Sequence, residues 1–231
     1  DLPDIGSRYY TYLWTLELCM KACKDHKKSL VILDRPNFIN GIDVEGPVLN
    51  ETFFSFVGLR PLPIRHGMTL GEIALYFRDQ FHQTVDLHVV KMEGYNRSMY
   101  FDQTGLPWVA PSPNIPTLTS AIVYPGMCLM EGVAVSEGRG TTRPFELFGA
   151  PYVDANVLTE KLNSFKMPGI HFRPAYFQPT NDKFKEKLCQ GAQLHVLDRK
   201  IFKPFMTGLT VIKTLRDMYP SNFAWRKGPY E

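Results

Sequence analysis

The chain has 231 residues, 44% hydrophobic and 21% charged, with 26 basic and 23 acidic side chains and a net charge of +3. That is an ordinary globular composition, enough for one large domain or two small ones. No basic tract stands out, which argues against nucleic acid as a partner. No apolar run approaches the roughly 20 residues of a membrane-spanning helix.

Asp1-Leu-Pro-Asp-Ile-Gly6 reads as the end of a strand followed by a turn, with the strand itself lying upstream. Asp4, Arg8 and Tyr10 cluster at that turn. Tyr9, Leu13, Leu16, Met20 and Cys23 recur at helical spacing, and Lys24-Asp-His-Lys-Lys28 ends the helix in solvated charge. Ser29-Leu-Val-Ile-Leu33 is a short continuous apolar strand, of the kind buried on both faces. Asp34, Arg35 and Asn37 stand at its C-terminal tip.

The stretch from Asn37 to Met68 is turn-rich, with Pro47, Pro61 and Pro63. Arg65 and His66 precede a helix N-terminus, which favours bound anions. Thr69 is its N-cap and Glu72, three residues on, completes a capping box. That helix is expected to run to about Phe81. Leu87 to Met92 is the next strand, ending in the polar tip Glu93, Tyr95 and Arg97. From Pro107 to Pro116 proline excludes regular structure, and a short helix follows near Thr117–Val123. The apolar runs Ala121-Ile-Val-Tyr124 and Met127-Cys-Leu-Met130 read as buried strand leading into Ser136-Glu-Gly-Arg-Gly-Thr-Thr-Arg-Pro-Phe-Glu-Leu-Phe-Gly-Ala-Pro151.

That last segment packs Glu137, Glu146, Arg139, Arg143, Ser136, Thr141 and Thr142 around glycines. A core does not need this mixture. Polar residues after a strand are where open α/β sheets bind ligands. The competing reading is a tight loop held by internal ion pairs. Glu137 and Glu131 flank the glycines, and glycosidases commonly use two carboxylates. The loop lacks the Lys of a phosphate-binding loop and is not a complete dinucleotide fingerprint. After Pro151 the character changes: a helix over Asp154–Phe165, strands over Ile170–Phe177 and Ala192–Leu197, and a final helix over Phe205–Tyr219.

The alternation of helix and strand argues an α/β fold, a Rossmann-like mainly parallel sheet in residues 1–151. A second, smaller α/β (α+β) domain is expected over 152–231. Cys19, Cys23, Cys128 and Cys189 lack zinc spacing and read as buried free thiols. Neither metal nor cofactor is expected. The tip clusters have an alternative reading as caps and turn-fixing hydrogen bonds, and His66 one as a structural histidine.

The segment from Ser136 to Pro151 also carries a resemblance. So do Leu33-Asp-Arg-Pro-Asn37, Val44-Glu-Gly-Pro47, Arg65-His-Gly-Met-Thr-Leu-Gly-Glu72, Thr104-Gly-Leu-Pro-Trp-Val109 and Pro111-Ser-Pro-Asn-Ile-Pro-Thr117. Together they resemble the NamZ (YbbC-type) family of bacterial exo-β-N-acetylmuramidases, from Asp1 to about Trp225. The resemblance implies a glycoside hydrolase that releases N-acetylmuramic acid from the non-reducing end of peptidoglycan fragments, with a periplasmic or secreted setting. It also implies strands and helices before Asp1, including a Glu-His-Gly motif, and further chain beyond Glu231.

On that basis Glu137, Glu131 and His66 are the candidate catalytic residues. Arg139, with Thr141 and Thr142, is the candidate cradle for the lactyl carboxylate. Arg65, Asp34, Arg35, Asn37, Glu93, Tyr95, Arg97, Asp4, Arg8 and Tyr10 are candidate substrate contacts. Two departures stand out. Relatives usually read Glu-Gly-Thr-Asn where this chain has Glu131-Gly-Val-Ala134, and Trp where Tyr95 stands. The rival expectation is a binding protein of the same fold that has lost catalysis; a nucleotide-dependent enzyme lacks its phosphate motifs.

Overall fold

The structure, a computed structural model, describes residues 1–81 and 84–226. It is mixed α/β and divides into two compact units, Asp1–Pro111 and Ser112–Glu231. The division falls well before the change of character read near residue 152, and the glycine-rich segment lies in the second unit.

In the first unit, α1 (Tyr12–Asp25) and α2 (Leu70–Phe81) pack with a parallel pair of strands, β1 (Leu30–Leu33) and β2 (Leu87–Val90). The register pairs Leu30 with Leu87 and Leu33 with Val90. The helical spacing puts Leu13, Leu16 and Met20 of α1 on one face, against Ile73, Ala74 and Phe77 of α2. Trp14 stacks on Phe77 with ring centroids 5.9 Å apart, and its indole N–H donates to the Arg8 carbonyl at 3.0 Å. The capping box is present: the Glu72 carboxylate accepts from Thr69 N at 3.0 Å and Thr69 Oγ1 accepts from Glu72 N at 3.2 Å. β1 is not buried on both faces. Ile32 is in the core, whereas Val31 and Leu33 are about half exposed, at 52% and 51%. The apolar run reflects a strand covered on one face within the described residues.

In the second unit, β3 (Leu147–Ala150), β4 (Ile170–Phe177) and β5 (Cys189–Val196) form an antiparallel sheet in the order β3-β5-β4. Gly149 and Gly191 face each other. A Cβ on Gly191 would lie 2.0 Å from the Phe148 carbonyl oxygen, so only glycine permits this approach. Pro174 is tolerated because β4 is an edge strand. Asn163 of α4 (Ala155–Ser164) ties that helix to β4, donating to Phe172 O at 2.8 Å and accepting from Phe172 N at 3.0 Å.

The apolar residues from Ala121 to Met130 are helical rather than a strand: α3 (Leu118–Met127) runs into a 3-10 turn at Cys128–Gly132. A continuous apolar run does not distinguish a buried strand from a buried helix, and α3 is buried from Ser120 to Met127. Its partner is α5 (Pro204–Met218), crossed at two glycines. A Cβ on Gly126 would sit 1.8 Å from Pro204 O, and one on Gly208 2.3 Å from Gly126 O. The tips after β1 and β2 and the glycine-rich segment therefore do not belong to one sheet. All four cysteines are free; Cys128 and Cys189 are buried, but Cys19 is exposed. Among the described residues no helix is long and apolar enough to cross a membrane.

Candidate active site

Parallel strands end on one side, where their last side chains leave the sheet. β1 and β2 both end on a hollow of about 420 Å³ in the first unit, within the size range of small-molecule sites. Asp34, Arg35, Glu93 and Tyr95, singled out from sequence, line it, together with Met92 and Leu106. Arg97 lines an adjoining hollow of about 280 Å³.

The lining residues differ in how committed they are. Asp34 sits at the N-terminus of α2. Its Oδ1 accepts from Gly71 N at 2.8 Å and Arg35 N at 3.0 Å, and its Oδ2 accepts from Thr69 Oγ1 at 2.7 Å. The helix dipole favours its negative charge there. Glu93 is exposed, and among the described residues no hydrogen bond or ion pair engages it. Arg35 pairs with Asp1, but both side chains are more than two-fifths exposed. Tyr95 has a buried hydroxyl, and burial, the largest influence, raises its pKa.

The other first-unit candidates do not line the hollow. His66 Nδ1 accepts from Met68 N at 3.2 Å, and its Nε2 lies 3.1 Å from Asp4 Oδ2 without a hydrogen bond to it. The His66 side chain is wholly buried and does not line the hollow. Asp4 Oδ2 accepts from Gly6 N at 2.8 Å. Asn37 donates to Met68 O at 2.9 Å and accepts from Ile39 N at 3.0 Å. Arg65 is buried, pairing with Glu45 at 3.0 Å and Asp43 at 3.2 Å and donating to the Ile39 carbonyl. Arg8 donates to the carbonyls of Pro47, at 3.1 Å, and Leu62. The Tyr10 hydroxyl donates to Pro111 O at 2.8 Å.

In the second unit the glycine-rich segment is a folded ionic loop. Glu137 is 1% exposed and lies between two cations, Arg139 Nε at 3.2 Å and Lys183 Nζ at 2.6 Å. Burial, the largest influence, raises the Glu137 pKa against the pull of Lys183, and burial likewise lowers that of Lys183. Lys183 also donates to Met130 O at 2.7 Å and Val133 O at 3.2 Å. Burial pulls the Arg139 pKa down, but Glu131 and Glu137 outweigh it and the net shift is upward. Arg139 pairs with Glu131, the more exposed of the two carboxylates, and lies 5.2 Å from the Phe145 ring centroid. Glu146 accepts from Thr117 and Ser120 at the N-terminus of α3, at 2.8 and 2.9 Å. Thr141 donates to Gly138 O at 2.6 Å, and Thr142 is exposed. Gly140, at φ +76°, makes a close approach: its carbonyl accepts from Thr180 N at 3.0 Å, and a Cβ there would lie 2.4 Å from Asn181 N.

The arrangement around Glu137 matches the competing reading of this loop, internal ion pairs. Lys183 escaped the sequence reading because Lys183-Phe-Lys-Glu-Lys187 looks like a solvated charge run. The Val133-Ala134 departure falls where the backbone pairs with another segment: Ala134 N donates to Ala224 O at 2.9 Å, and Val133 is wholly buried. Among the described residues no group of three His, Cys, Asp or Glu side chains is placed to hold a metal ion.

Comparison with known proteins identifies the fold and the lineage. The model of the N-terminal part of exo-beta-N-acetylmuramidase NamZ matches residues 1–119, and that of its C-terminal part matches residues 122–231. Peptidoglycan beta-N-acetylmuramidase NamZ of Bacillus subtilis (strain 168) is 50% identical over 223 residues, which is 96% of this chain and 54% of that protein. Two crystal structures of DUF1343 family proteins from Bacteroides fragilis NCTC 9343 are similar, at 36% identity with a TM-score of 0.92 and at 33% with 0.74. Each alignment covers 96% of this chain and 59% of the other. The chain thus spans a little over half the length of these relatives. It belongs to the exo-β-N-acetylmuramidase NamZ family.

Proposed function

We propose that this chain forms part of a glycoside hydrolase that releases N-acetylmuramic acid from the non-reducing end of peptidoglycan fragments, and that the hollow after β1 and β2 holds the released sugar. The identity with a named peptidoglycan β-N-acetylmuramidase over nearly the whole chain supports the reaction class. The observation that carries the site is the hollow itself, where an unengaged carboxylate, Glu93, and a weakly held guanidinium, Arg35, meet an aromatic face, Tyr95.

In this reading Arg35 receives the lactyl carboxylate that distinguishes N-acetylmuramic acid. Its pair with Asp1 is exposed, and such pairs contribute at most about 1 kcal/mol, so a ligand carboxylate displaces Asp1 readily. Arg139 is a poorer candidate because two carboxylates already hold it. Glu93 supplies the carboxylate that faces the sugar. Glu137 and His66 act as positioning residues, the first by holding Arg139 and Lys183, the second by fixing the turn at Asp4. Glu131, open to solvent, remains the second unit's candidate for substrate contact.

The test is turnover of an aryl N-acetylmuraminide by the full-length protein, with the matching N-acetylglucosaminide as reference. Arg35→Ala should lower discrimination between the two by about tenfold or more, the usual effect of losing a charge-assisted hydrogen bond. Equal losses on both sugars would remove Arg35 from sugar recognition. Binding of N-acetylmuramic acid without turnover of either compound would identify a sugar-binding protein instead.

A further inference from the structure

The hollow after β1 and β2 adjoins the second one, which runs along the start of α2 past Lys91 and Arg97. Asp34, Met92 and Tyr95 line both. These three side chains are therefore the partition between two spaces that would otherwise be one. The partition is held rigidly. Three hydrogen bonds lock the Asp34 carboxylate. Tyr95 follows Gly94, whose φ of +71° turns the chain back. Two residues later Arg97 clamps that turn, donating to Gly41 O at 2.7 Å and Gly67 O at 2.6 Å and pairing with Glu72. Gly41 N returns a bond to Arg97 O at 2.7 Å.

We propose that Tyr95, backed by Met92 and Asp34, is the specificity-determining wall that restricts this site to the terminal sugar of a chain. The proposal rests on the reading above, that the first hollow takes the terminal N-acetylmuramic acid. A site that cuts within a glycan needs an open groove on both sides of the bond. A site that removes one residue needs a stop beyond it. The larger hollow takes one sugar, and the smaller one behind the wall would take the next if the wall were removed. An aromatic ring suits the task because its face packs on the terminal sugar while its bulk excludes any further residue. Discrimination of this kind comes from a clash built against the longer ligand rather than from added contacts to the shorter one.

The experiment uses the full-length protein and two substrates: an aryl N-acetylmuraminide, and the same compound capped with N-acetylglucosamine on its non-reducing side. The wild type should cleave the first and spare the second. Tyr95→Ala should raise the ratio of kcat/KM for capped over uncapped substrate by about tenfold or more, the scale of steric discrimination in a pocket. Tyr95→Phe keeps the ring and should keep the wild-type ratio. Met92→Ala opens the same wall and carries the test if Tyr95→Ala does not fold. An unchanged ratio in a folded Tyr95→Ala or Met92→Ala protein overturns the proposal. Calorimetry with the free monosaccharide and the capped disaccharide gives a readout without turnover. The wild type should prefer the monosaccharide and Tyr95→Ala should not; equal wild-type binding of both sugars overturns the wall. Failure of the wild type to cleave the uncapped compound while still preferring the monosaccharide would sink the assigned reaction and leave the wall standing.

Discussion

At the scale of single residues, Glu137 and Glu93 differ in burial and in partners: Glu137 is buried between two cations, whereas Glu93 is exposed. Composition and glycine spacing point to Glu137, because the sequence shows Arg139 beside it but not Lys183, which lies far along the chain. With both cations in place, Glu137 is a buried carboxylate at the centre of a triad. Removing one member of such a group leaves an unpaired buried charge, which typically costs about 3–5 kcal/mol. Lys183→Met should lower stability by that order in urea unfolding; Glu137→Gln should cost less, since burial already disfavours the charged carboxylate and Arg139 keeps Glu131, and the double variant should lose markedly less than their sum. An additive double variant would show that the two do not act as a pair. The pH dependence has a fixed sign. Burial raises the Glu137 pKa in the folded state, so the folded protein binds that proton more tightly than the unfolded chain does. The stabilisation is complete below the ordinary carboxylate range and is lost as pH rises through the raised value. The wild type should therefore gain stability relative to Glu137→Gln as pH falls from neutral toward that range, as measured by denaturation at a series of pH values.

At the scale of elements, what was legible depended on whether the signal was local. The α2 N-terminus was read from Thr69 and Glu72 alone, because a capping box is made by residues three apart. The same reading could not show that Asp34 completes the cap from the tip of β1, since that contact joins distant parts of the chain. Thr69→Ala should thus cost more than an ordinary cap, for which loss is about 1 kcal/mol, because it also strips Asp34 Oδ2 of its donor. The urea midpoint should fall further than for Asn50→Ala, whose cap serves only a short exposed 3-10 turn. The start of α3 agrees with the short helix expected near Thr117–Val123, but its continuation to Met127 is not legible, because the information for it lies in α5. Ala121 to Met130 is apolar all round since the helix is enclosed, and Gly126 is there for the crossing, not for a turn. Gly126→Ala should abolish cooperative thermal unfolding, as a Cβ would lie 1.8 Å from Pro204 O. Lys213→Ala, on the solvent side of α5, should stay within about 0.5 kcal/mol of wild type. A Gly126→Ala protein of normal Tm would mean that the two helices can separate without penalty.

At the scale of the whole molecule, an α/β architecture was readable from alternating periodicities, but the boundary between units was not. A change in composition after Pro151 suggests a new domain there, yet β3, which ends at Ala150, is hydrogen-bonded to β5 far along the sequence, Ala150 opposite Gln190. Four residues of strand inside a glycine-rich polar segment carry no period long enough to detect. We propose that the folding boundary lies near Pro111–Ser112. A fragment of residues 112–231 keeps all three strands of its sheet, the α3–α5 crossing at Gly126 and Gly208, and the Glu137 triad. It should unfold cooperatively and retain native circular dichroism. A fragment of residues 152–231 loses β3 and α3, exposing one edge of β5 and the apolar face of α5. It should bind a hydrophobic dye and show no cooperative transition. The opposite outcome, a cooperative 152–231 fragment beside an unfolded 112–231 fragment, would restore the later boundary and mean that β3 and α3 belong energetically with the first half of the chain.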